Sequence, residues 1–266
     1  MKFSIVVVCL NPGEKLNRTL DSVLEQTWTD YEIIVKDGGS TDGSLKSLRS
    51  DKRIRLFQDR DSGIYDAMNQ GVSHAQGEFI LFLNCGDRFY DKKVLAETAL
   101  RSGRVQNSEN LVLYGDTYSE KADAVIASAP RITGLTCYRN IPCHQSCFYS
   151  ARLCREKPYD PKYRIRADYD HFLWCRYEAG AKMVHMNLTV SSYEGGGYSE
   201  SRENRKRDRE EHKMITRVYM SRVELLCYRL FMLCTLAPLR SLLAQNKWSA
   251  GLYHRLMEGI YRRGNK

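Results

Sequence analysis

The sequence has few of the features that mark secreted or membrane-spanning proteins. Its nine cysteines are scattered, they are an odd number, and no two of them form a C-x-x-C pair. We therefore expect reduced thiols in the cytoplasm, with neither a disulfide framework nor a zinc site. The apolar run over residues 230–239 has about half the length that spans a membrane. Without internal repeats or long low-complexity tracts, the 266 residues are expected to form one core, or one domain with an appendage.

The first apolar run, Ser4 to Leu10, is short and ends at Asn11-Pro12-Gly13. It resembles the core of a signal peptide, but no small-residue cleavage site follows, so we interpret it as a first strand. Residues 14–26 then place four apolar side chains at helical spacing, namely Leu16, Leu20, Val23 and Leu24. A second apolar run follows this helix. The order strand, turn, helix and strand predicts a βαβ unit and the α/β class, with a parallel, doubly wound sheet.

The most informative segment is Ile33 to Ser44, which reads IIVKDGGSTDGS. A β-branched apolar run stops at Asp37, and a glycine-rich turn follows at once. Asp37 is therefore expected at the carboxyl end of a strand, where open α/β sheets bind their ligands. A carboxylate at this position accepts hydrogen bonds from a base or a ribose. The alternative is that Asp37 only caps the following turn, which is a common use of aspartate.

A further strand-like segment, Gly77 to Leu83, ends in Asn84-Cys85-Gly86-Asp87. Two strands that each end in an acid bring two carboxylates to one edge of the sheet. A nucleoside diphosphate needs a divalent cation to neutralise its pyrophosphate. Mg²⁺ or Mn²⁺ accepts one or two protein carboxylates beside phosphate oxygens and water. We therefore expect Asp87 to bind a metal ion and Asp37 to bind a nucleoside.

Several motifs occur in a fixed order over residues 3–200. They read SIVVVCLNPGEKLNRTLDSVLEQTW, IIVKDGGSTDGS, DSGIYDAMNQGVSHAQGEFILFLNCGD, HQS and RADYD. Together they resemble the family 2 glycosyltransferases, which have the GT-A fold, a Rossmann-like, mostly parallel sheet flanked by helices. The resemblance implies a transferase that uses a nucleotide-sugar donor and a divalent metal ion, Mg²⁺ or Mn²⁺.

The resemblance also assigns roles to individual residues. The acid that matches Asp37 contacts the nucleoside in that family, and the segment that matches residues 61–71 helps to enclose the base. The residues expected to bind the nucleotide sugar are Asn11, Asp37, Gly38, Asp61, Asp66, Asn69 and Asn84. The acid that matches Asp87 binds the metal ion. Asn84 and Gly86 stand where the usual DxD motif often has acids, so phosphates and water are expected to complete the coordination.

Direct displacement at an anomeric carbon, assisted by one general base, inverts that carbon. The RADYD motif offers two candidates for the base, Asp168 and Asp170, just before apolar residues at helical spacing. A role in capping that helix is the alternative for Asp168. The family match favours Asp168 as the base and leaves Asp170 on the acceptor side. His144 and Gln145 are similarly expected to border the acceptor pocket, with a buried, hydrogen-bonded histidine as the simpler interpretation.

The surplus of positive charge lies at the C-terminus. Residues 201–266 hold 15 Lys and Arg against 6 Asp and Glu, whereas residues 1–200 hold 26 of each. We predict a catalytic domain over 1–200 and a basic, partly apolar helical tail over 201–266, which starts with a solvated connecting helix. The apolar part of the tail either packs on the domain or lies in an anionic membrane surface. Interleaved basic and aromatic residues, among them Trp248 and Tyr261, favour membrane contact, and no nucleic-acid module accompanies the charge.

The resemblance and the single base thus imply an inverting enzyme of hexosyltransferase type, and the basic, apolar tail indicates a peripheral position at the cytoplasmic face of the plasma membrane. Its donor is expected to be a UDP-sugar, with a GDP-sugar as the second choice. Its acceptor is expected to be a lipid-linked saccharide of bacterial capsule, exopolysaccharide or O-antigen synthesis. Two other classes remain open. A sugar nucleotidyltransferase usually has an early glycine-rich basic loop that residues 11–14 do not supply, and a non-catalytic nucleotide-binding, membrane-tethering module needs no base.

Overall fold

The computed structural model describes residues 1–105, 108–195 and 204–235. These residues form one mixed sheet of nine strands with helices on both faces. The strands are β1 (Phe3–Cys9), β2 (Tyr31–Asp37), β3 (Ile54–Gln58), β4 (Phe79–Phe82), β5 (Arg88–Phe89), β6 (Leu111–Ser119), β7 (Ala124–Ile126), β8 (Cys147–Ser150) and β9 (Lys182–Tyr193). The α-helices are α1 (Lys15–Leu24), α2 (Ile64–His74), α3 (Val94–Ser102), α4 (Gly134–Arg139), α5 (Ala151–Glu156), α6 (Ala167–Tyr177), α7 (Asn204–Tyr219) and α8 (Arg222–Cys234). Short 3-10 helices cover Ser44–Ser47, Ser108–Asn110 and His144–Ser146.

Four parallel strands form the first half of the sheet, in the order β3-β2-β1-β4. The predicted βαβ unit is confirmed as β1, α1 and β2, and the predicted strand at Gly77 to Leu83 contains β4. Sequence patterns did not reveal β3, which lies at the edge of the sheet. Its apolar residues are only half-buried, Arg55 interrupts them and Gln58 ends them, so the segment lacks the continuous apolar run of a central strand.

The second half of the sheet contains antiparallel pairs. β8 is antiparallel to both β4 and β6, and β5 is antiparallel to β9, whereas β6 and β9 are parallel. The α/β class is confirmed, and the sheet as a whole is mixed. Hydrophobic periodicity reports which face of a strand is buried and carries no information about strand direction, so this half could not be oriented from the sequence.

Helices cover both faces of the sheet, and β1 illustrates the alternation. Ile5 and Val7 belong to a core shared with α1 and α3, whereas Val6 and Val8 belong to a core shared with α2, α5 and α6. In α2, a Cβ atom at Gly71 would lie 2.5 Å from Val6 Cγ1. Glycine at this position therefore allows α2 to pack closely on the sheet.

The tail begins with α7, which packs on the domain. Ile215 is completely buried, and Glu211 and Thr216 are each 3% exposed. Over residues 204–213, where the charge predicted a solvated helix, most side chains are exposed and Glu211 is buried. The packing on the domain comes from Glu211 and from the following turn of α7. Only a few residues of α7 face the core, and many charged residues separate them in the sequence. The sequence of α7 therefore lacks the apolar periodicity that would predict its packing. The predicted boundary near residue 200 lies outside the described residues.

α8 has one packed side and one exposed side. Its N-terminus is fixed by a capping box between Ser221 and Glu224, and Leu225 is buried against the domain. The opposite side exposes an apolar stripe formed by Val223, Leu226, Leu230, Phe231 and Leu233. None of the described helices has both the length and the apolar character needed to cross a membrane. The rest of the predicted membrane-contacting tail, including Trp248 and Tyr261, lies outside the described residues.

Candidate active site

The carboxyl ends of β1, β2 and β4 meet at one edge of the sheet. The register of β1 and β2 pairs Cys9 with Asp37, and the Gly38 amide donates to the Cys9 carbonyl oxygen at 3.0 Å. β4 is parallel to β1 on its other side, so Asn84 and Asp87 follow at the same edge. Asp37, Asn84 and Asp87, which were expected to bind the nucleotide or the metal ion, are thus brought to one rim.

The turn after β2 holds Asp37. Its carboxylate is completely buried and accepts hydrogen bonds from Gly39 N at 3.0 Å, from Ser40 N at 2.9 Å and from the Ser40 hydroxyl. Burial alone would raise the pKa of Asp37, but these donors hold it below its ordinary value. Asn11 braces the same turn, since its Oδ1 accepts from Thr41 N at 2.8 Å. Both oxygens of Asp37 are engaged by the turn, as the capping alternative predicted, and contact with a nucleoside stays a prediction.

Lys36 and Asp61 lie beside this turn. The Lys36 ammonium group is completely buried, donates to the Asp37 carbonyl oxygen at 2.8 Å and lies 3.4 Å from Asp61 Oδ2. A Cβ atom at Gly38 would lie 2.6 Å from the same carboxylate oxygen, so glycine lets Asp61 approach the end of β2. Gly38 and Asp61, both expected to bind the donor, are therefore neighbours. Lys36 was not expected at the site, although it lies within the segment that identified Asp37.

Asp66 and Asn69 lie on α2, and their side chains form hydrogen bonds with neighbouring segments of the chain. Asp66 Oδ2 accepts from the amide and the hydroxyl of Ser62 at 2.8 and 2.9 Å, which fixes the start of α2. The Asn69 amide donates to the Tyr159 carbonyl oxygen at 2.8 Å and accepts from the Tyr159 amide at 2.9 Å. These contacts tie α2 to the segment before α6, and the expected contact of both residues with a nucleotide stays a prediction.

A cavity of about 280 Å³ brings together three of the expected site residues. His144, Gln145 and Asp168 line it, together with residues of the segment 140–143 and the start of α6. Asp168 is the second residue of α6, and the residue at the N-cap is Arg166. Asp168 is therefore not the N-cap residue, although its Oδ1 accepts from the Tyr169 amide in the first turn of α6 at 2.9 Å. Its carboxylate also lines the cavity.

The Asp168 carboxylate is held by two side chains. His144 Nδ1 lies 3.4 Å from Asp168 Oδ2. The Tyr65 hydroxyl lies 3.0 Å from Asp168 Oδ1 and shares its single proton between that oxygen and the Ile165 carbonyl oxygen at 2.5 Å. Burial would raise the pKa of Asp168, but the hydrogen bonds from His144 and Tyr65 keep it below its ordinary value. Burial conversely lowers the pKa of His144, and the hydrogen bond to Asp168 reverses that effect, so its pKa is raised. The carboxylate is thus ionised and fixed in position at neutral pH.

Asn84 connects His144 to the loop that carries Asp87. The Asn84 amide nitrogen donates to His144 Nε2 at 3.1 Å, which leaves the proton of the neutral imidazole on Nδ1, facing Asp168. Asp87 is 6% exposed, and burial is the main reason that its pKa is raised to about 7. The negative charge of Glu194 adds to this rise, whereas His144 opposes it.

The loop after β4 has the oxygen donors that a hard divalent cation requires. Asn84 Oδ1 is buried and has no hydrogen-bond partner in the described part of the chain. Together with the Asp87 carboxylate it offers two oxygens of the kind that Mg²⁺ and Mn²⁺ accept. The described residues contain no group of three or more His, Cys, Asp or Glu side chains placed to hold a metal ion. The loop therefore fits a cation that takes its remaining ligands from a diphosphate and water.

Comparison with known proteins gives the family. The model of the family described as Glycosyl transferase family 2 matches residues 4–101. A protein of Mycobacterium bovis (strain BCG / Pasteur 1173P2), described as a PGL/p-HBAD biosynthesis glycosyltransferase, is 36% identical over 204 residues, which is 74% of this chain and 78% of the relative. The chain belongs to glycosyl transferase family 2. An uncharacterized glycosyltransferase of Mycobacterium tuberculosis (strain CDC 1551 / Oshkosh) is 32% identical to this transferase and covers 64% of its chain and 67% of the relative.

Solved structures share the fold of the transferase. S. aureus TarS 1-349 in complex with UDP-GlcNAc superimposes with a TM-score of 0.62 at 20% identity, covering 85% of the transferase and 67% of TarS 1-349. TarS 1-349 without a named ligand matches with a TM-score of 0.61, and the transferase spans 60% of its length. The mannosyltransferase PcManGT from Pyrobaculum calidifontis, in complex with GDP-Man and Mn²⁺, matches with a TM-score of 0.60 at 17% identity, covering 79% and 62% of the two chains.

Asp170 of the transferase has a different environment from Asp168. Its carboxylate is 4% exposed, accepts from the Tyr219 hydroxyl at 3.1 Å and lies 3.2 Å from Lys157 Nζ. It is not among the described residues that line the cavity. The structure therefore brings Asp168, His144 and Gln145 together and leaves Asp170 in a buried contact between α6 and α7.

Two residues that position Asp168 in the transferase were missed from the sequence. Tyr65 lies within the motif that suggested Asp61 and Asp66, so the motif marked its segment but not its role. Glu211 of α7 lies in none of the motifs, so nothing in the sequence indicated its role. Its carboxylate accepts from the amides of residues 164, 165 and 166 at 2.9, 3.0 and 2.9 Å, directly before α6. A tail residue therefore satisfies the backbone that leads into the helix carrying Asp168.

Proposed function

We propose that this transferase moves a sugar from a nucleoside-diphosphate sugar to an acceptor hydroxyl, with inversion, and that Asp168 is the general base. The observation that carries the proposal is the carboxylate of Asp168, which faces a cavity, is ionised and is held by His144 and Tyr65. An ionised carboxylate within reach of a hydroxyl accepts its proton as the oxygen attacks. The rim with Asn84 and Asp87, expected to hold the donor phosphates, is connected to this base through His144.

The chemistry requires one displacement. The acceptor oxygen forms a bond to the anomeric carbon while its proton moves to Asp168, and the bond from that carbon to the diphosphate oxygen breaks with its electron pair. Attack opposite to the leaving group inverts the anomeric centre. His144 and Tyr65 restrict the rotation of the Asp168 carboxylate, so the base is already oriented when the acceptor binds. Gln145, 4% exposed beside His144, is the expected contact for other groups of the acceptor.

The residues that would hold Mg²⁺ or Mn²⁺ are Asp87 and Asn84. A divalent cation held there would neutralise the diphosphate and stabilise it as a leaving group. The buried, unpartnered Oδ1 of Asn84 and the carboxylate of Asp87 support this assignment. The mannosyltransferase PcManGT, which shares the fold and is in complex with GDP-Man and Mn²⁺, is consistent with this assignment. Asp87 also needs to lose its proton first, since its pKa of about 7 is close to neutral pH.

The donor is expected to be a UDP-sugar, with a GDP-sugar as the second choice. Structures with the same fold carry UDP-GlcNAc in one case and GDP-Man in another, so the fold accepts both bases. We assign the donor to the rim formed by Asn11, Gly38 and Asp61, with Asp37 at its centre. Asp66 and Asn69 support this rim by fixing α2.

The acceptor is expected to be a lipid-linked saccharide of bacterial polysaccharide synthesis, met at the cytoplasmic face of the plasma membrane. Two observations support peripheral contact with a membrane. The surplus positive charge lies in residues 201–266, and α8 exposes Leu226, Leu230 and Leu233 on one side. Apolar side chains flanked by basic residues are the composition that holds helices at anionic bilayers.

The first test is a thermal-shift and hydrolysis panel of nucleotides and nucleotide sugars, with and without Mn²⁺. We expect a UDP-sugar to stabilise the protein in a metal-dependent way and to be hydrolysed slowly without an acceptor. Asp168→Asn is expected to keep the stabilisation and lose the turnover, because only the base is removed. The proposal fails if no nucleotide sugar binds, or if Asp168→Asn retains near-normal turnover.

A further inference from the structure

A basic groove lies between α4, α7 and α8, outside the proposed donor site. Its volume is about 660 Å³. Its lining consists of Tyr138, Arg139, Arg166, Asp208, Arg209, His212, Lys213, Thr216, Arg217, Arg229 and Met232. We refer to it as the tail groove, because most of these residues belong to α7 and α8.

The tail groove has a large excess of positive charge. Its acid, Asp208, is already engaged, because Arg166 binds it through two hydrogen bonds of 2.7 and 3.0 Å. Five further cationic side chains make no ion pair with any residue in the described ranges; they are Arg139, Arg209, Lys213, Arg217 and Arg229. So many uncompensated like charges repel one another around a concave surface unless an anion is bound there.

The tail groove adjoins the cavity that contains the proposed base. Arg166 and Asp208 line both the tail groove and the cavity of Asp168. Their ion pair therefore forms a wall shared by the two spaces.

We propose that the tail groove binds a phosphate or diphosphate ester that is part of the acceptor. This inference rests on the proposed transferase function and adds the chemical class of the acceptor. Guanidinium groups bind phosphate oxygens in pairs of hydrogen bonds, and several of them converge on this groove. Met232 gives it an apolar patch.

The test uses geranyl phosphate as a soluble probe, with saturating UDP and Mn²⁺ present so that the donor site is occupied. Binding is measured by calorimetry for the full chain and for a variant with Arg139→Gln, Lys213→Gln and Arg229→Gln. Each charge-assisted hydrogen bond to phosphate is worth about tenfold or more in affinity, so we expect the variant to bind at least about tenfold more weakly.

A matched control removes the same charge elsewhere, through Lys46→Gln, Lys52→Gln and Lys93→Gln, three exposed lysines outside the tail groove. We expect the control to bind geranyl phosphate within about twofold of the unmodified protein, since the Debye length of about 10 Å at ordinary salt screens distant charges. An equal loss in both variants, or no loss in either, overturns the proposal. Binding of geraniol as tight as that of geranyl phosphate overturns it as well.

Two further measurements are needed. The first distinguishes a bilayer headgroup from an acceptor phosphate as the ligand of the tail groove, and the second tests the tail groove separately from the transferase function. Flotation with phosphatidylcholine vesicles, with and without phosphatidylglycerol, is compared for both triple variants. If the groove variant loses only flotation and still binds geranyl phosphate normally, the groove is a site for bilayer headgroups and the acceptor proposal is wrong. UDP-induced thermal stabilisation is expected to be unchanged in the groove variant. If the unmodified protein binds geranyl phosphate but no nucleotide sugar, the transferase proposal fails while the anion site stands.

Discussion

Glu211 gives a sharp test of how the tail supports the proposed base. This residue of α7 is 3% exposed, and its carboxylate accepts hydrogen bonds from three consecutive amides that lead into α6. Glu211→Gln keeps the size of the side chain but replaces one oxygen with a nitrogen that faces a donor. Asp168 lies two residues after the last of these amides, so the same change loosens the backbone that positions it.

The expected magnitude follows from these contacts. A hydrogen bond to a charged acceptor is worth about 1.5–3 kcal/mol. Glu211→Gln removes one or two of the three bonds and the charge that strengthens the rest. We therefore expect the free energy of unfolding to fall by about 2–4 kcal/mol, measured by urea denaturation. We also expect kcat to fall at least about tenfold with little change in the KM for the donor, because the donor rim does not depend on α7.

Glu210→Gln is the matched control. Glu210 is the preceding residue of the same helix, is exposed, and pairs only with Lys206 at 4.0 Å among the described residues. Such a surface pair contributes about 0–1 kcal/mol, so this variant is expected to behave like the unmodified protein. Activity is measured well below the unfolding midpoint, where both variants are folded. Equal stability and equal kcat for Glu211→Gln and Glu210→Gln would refute the claim that α7 positions the base.

Three further predictions follow from the site and the tail. His144→Gln removes the partner that lowers the pKa of Asp168, so the acidic limb of the kcat–pH profile is expected to move to higher pH; an unmoved limb contradicts this. Mn²⁺ affinity, measured by calorimetry, is expected to weaken as the pH falls through about 7, because protons compete for the Asp87 carboxylate; a constant affinity from pH 8 to 6 argues against Asp87 as the ligand. Leu226→Ser with Leu230→Ser is expected to reduce flotation with anionic vesicles while UDP binding is kept, and unchanged flotation would leave α8 as an ordinary packed helix.

The packing of α7 also determines which experiments on the tail are informative. Removal of the chain after about residue 212 would expose the core that Ile215 and Leu225 now cover. Such a truncation is expected to destabilise the domain, because each large buried aliphatic side chain contributes about 1.5–3 kcal/mol. Substitutions on the exposed side of α8 avoid this loss, so they test membrane contact without unfolding the catalytic domain.

The sequence determined the part of the site that depends on local patterns. Apolar runs that stop at Asp37 and just before Asn84 predict two strand ends, and parallel strands bring their carboxyl ends to one edge. The ordered motifs then predicted the GT-A fold and the family, and both are confirmed. These features were accessible because a strand, its terminating acid and the following turn lie within about ten residues of one another.

Only the tertiary structure decided which groups meet across the chain. Asp168 and Asp170 are two residues apart on α6 and point in different directions, so the choice between them depends on His144, Lys157 and other residues distant in sequence. The contact of Glu211 with the start of α6 is equally non-local. A buried carboxylate is stable only where donors or cations reach it, and those partners come from elements that no local pattern brings together. The sequence therefore determined where the edge of the sheet carries polar groups, and the packing of α2, α6 and α7 decided which carboxylate faces the cavity.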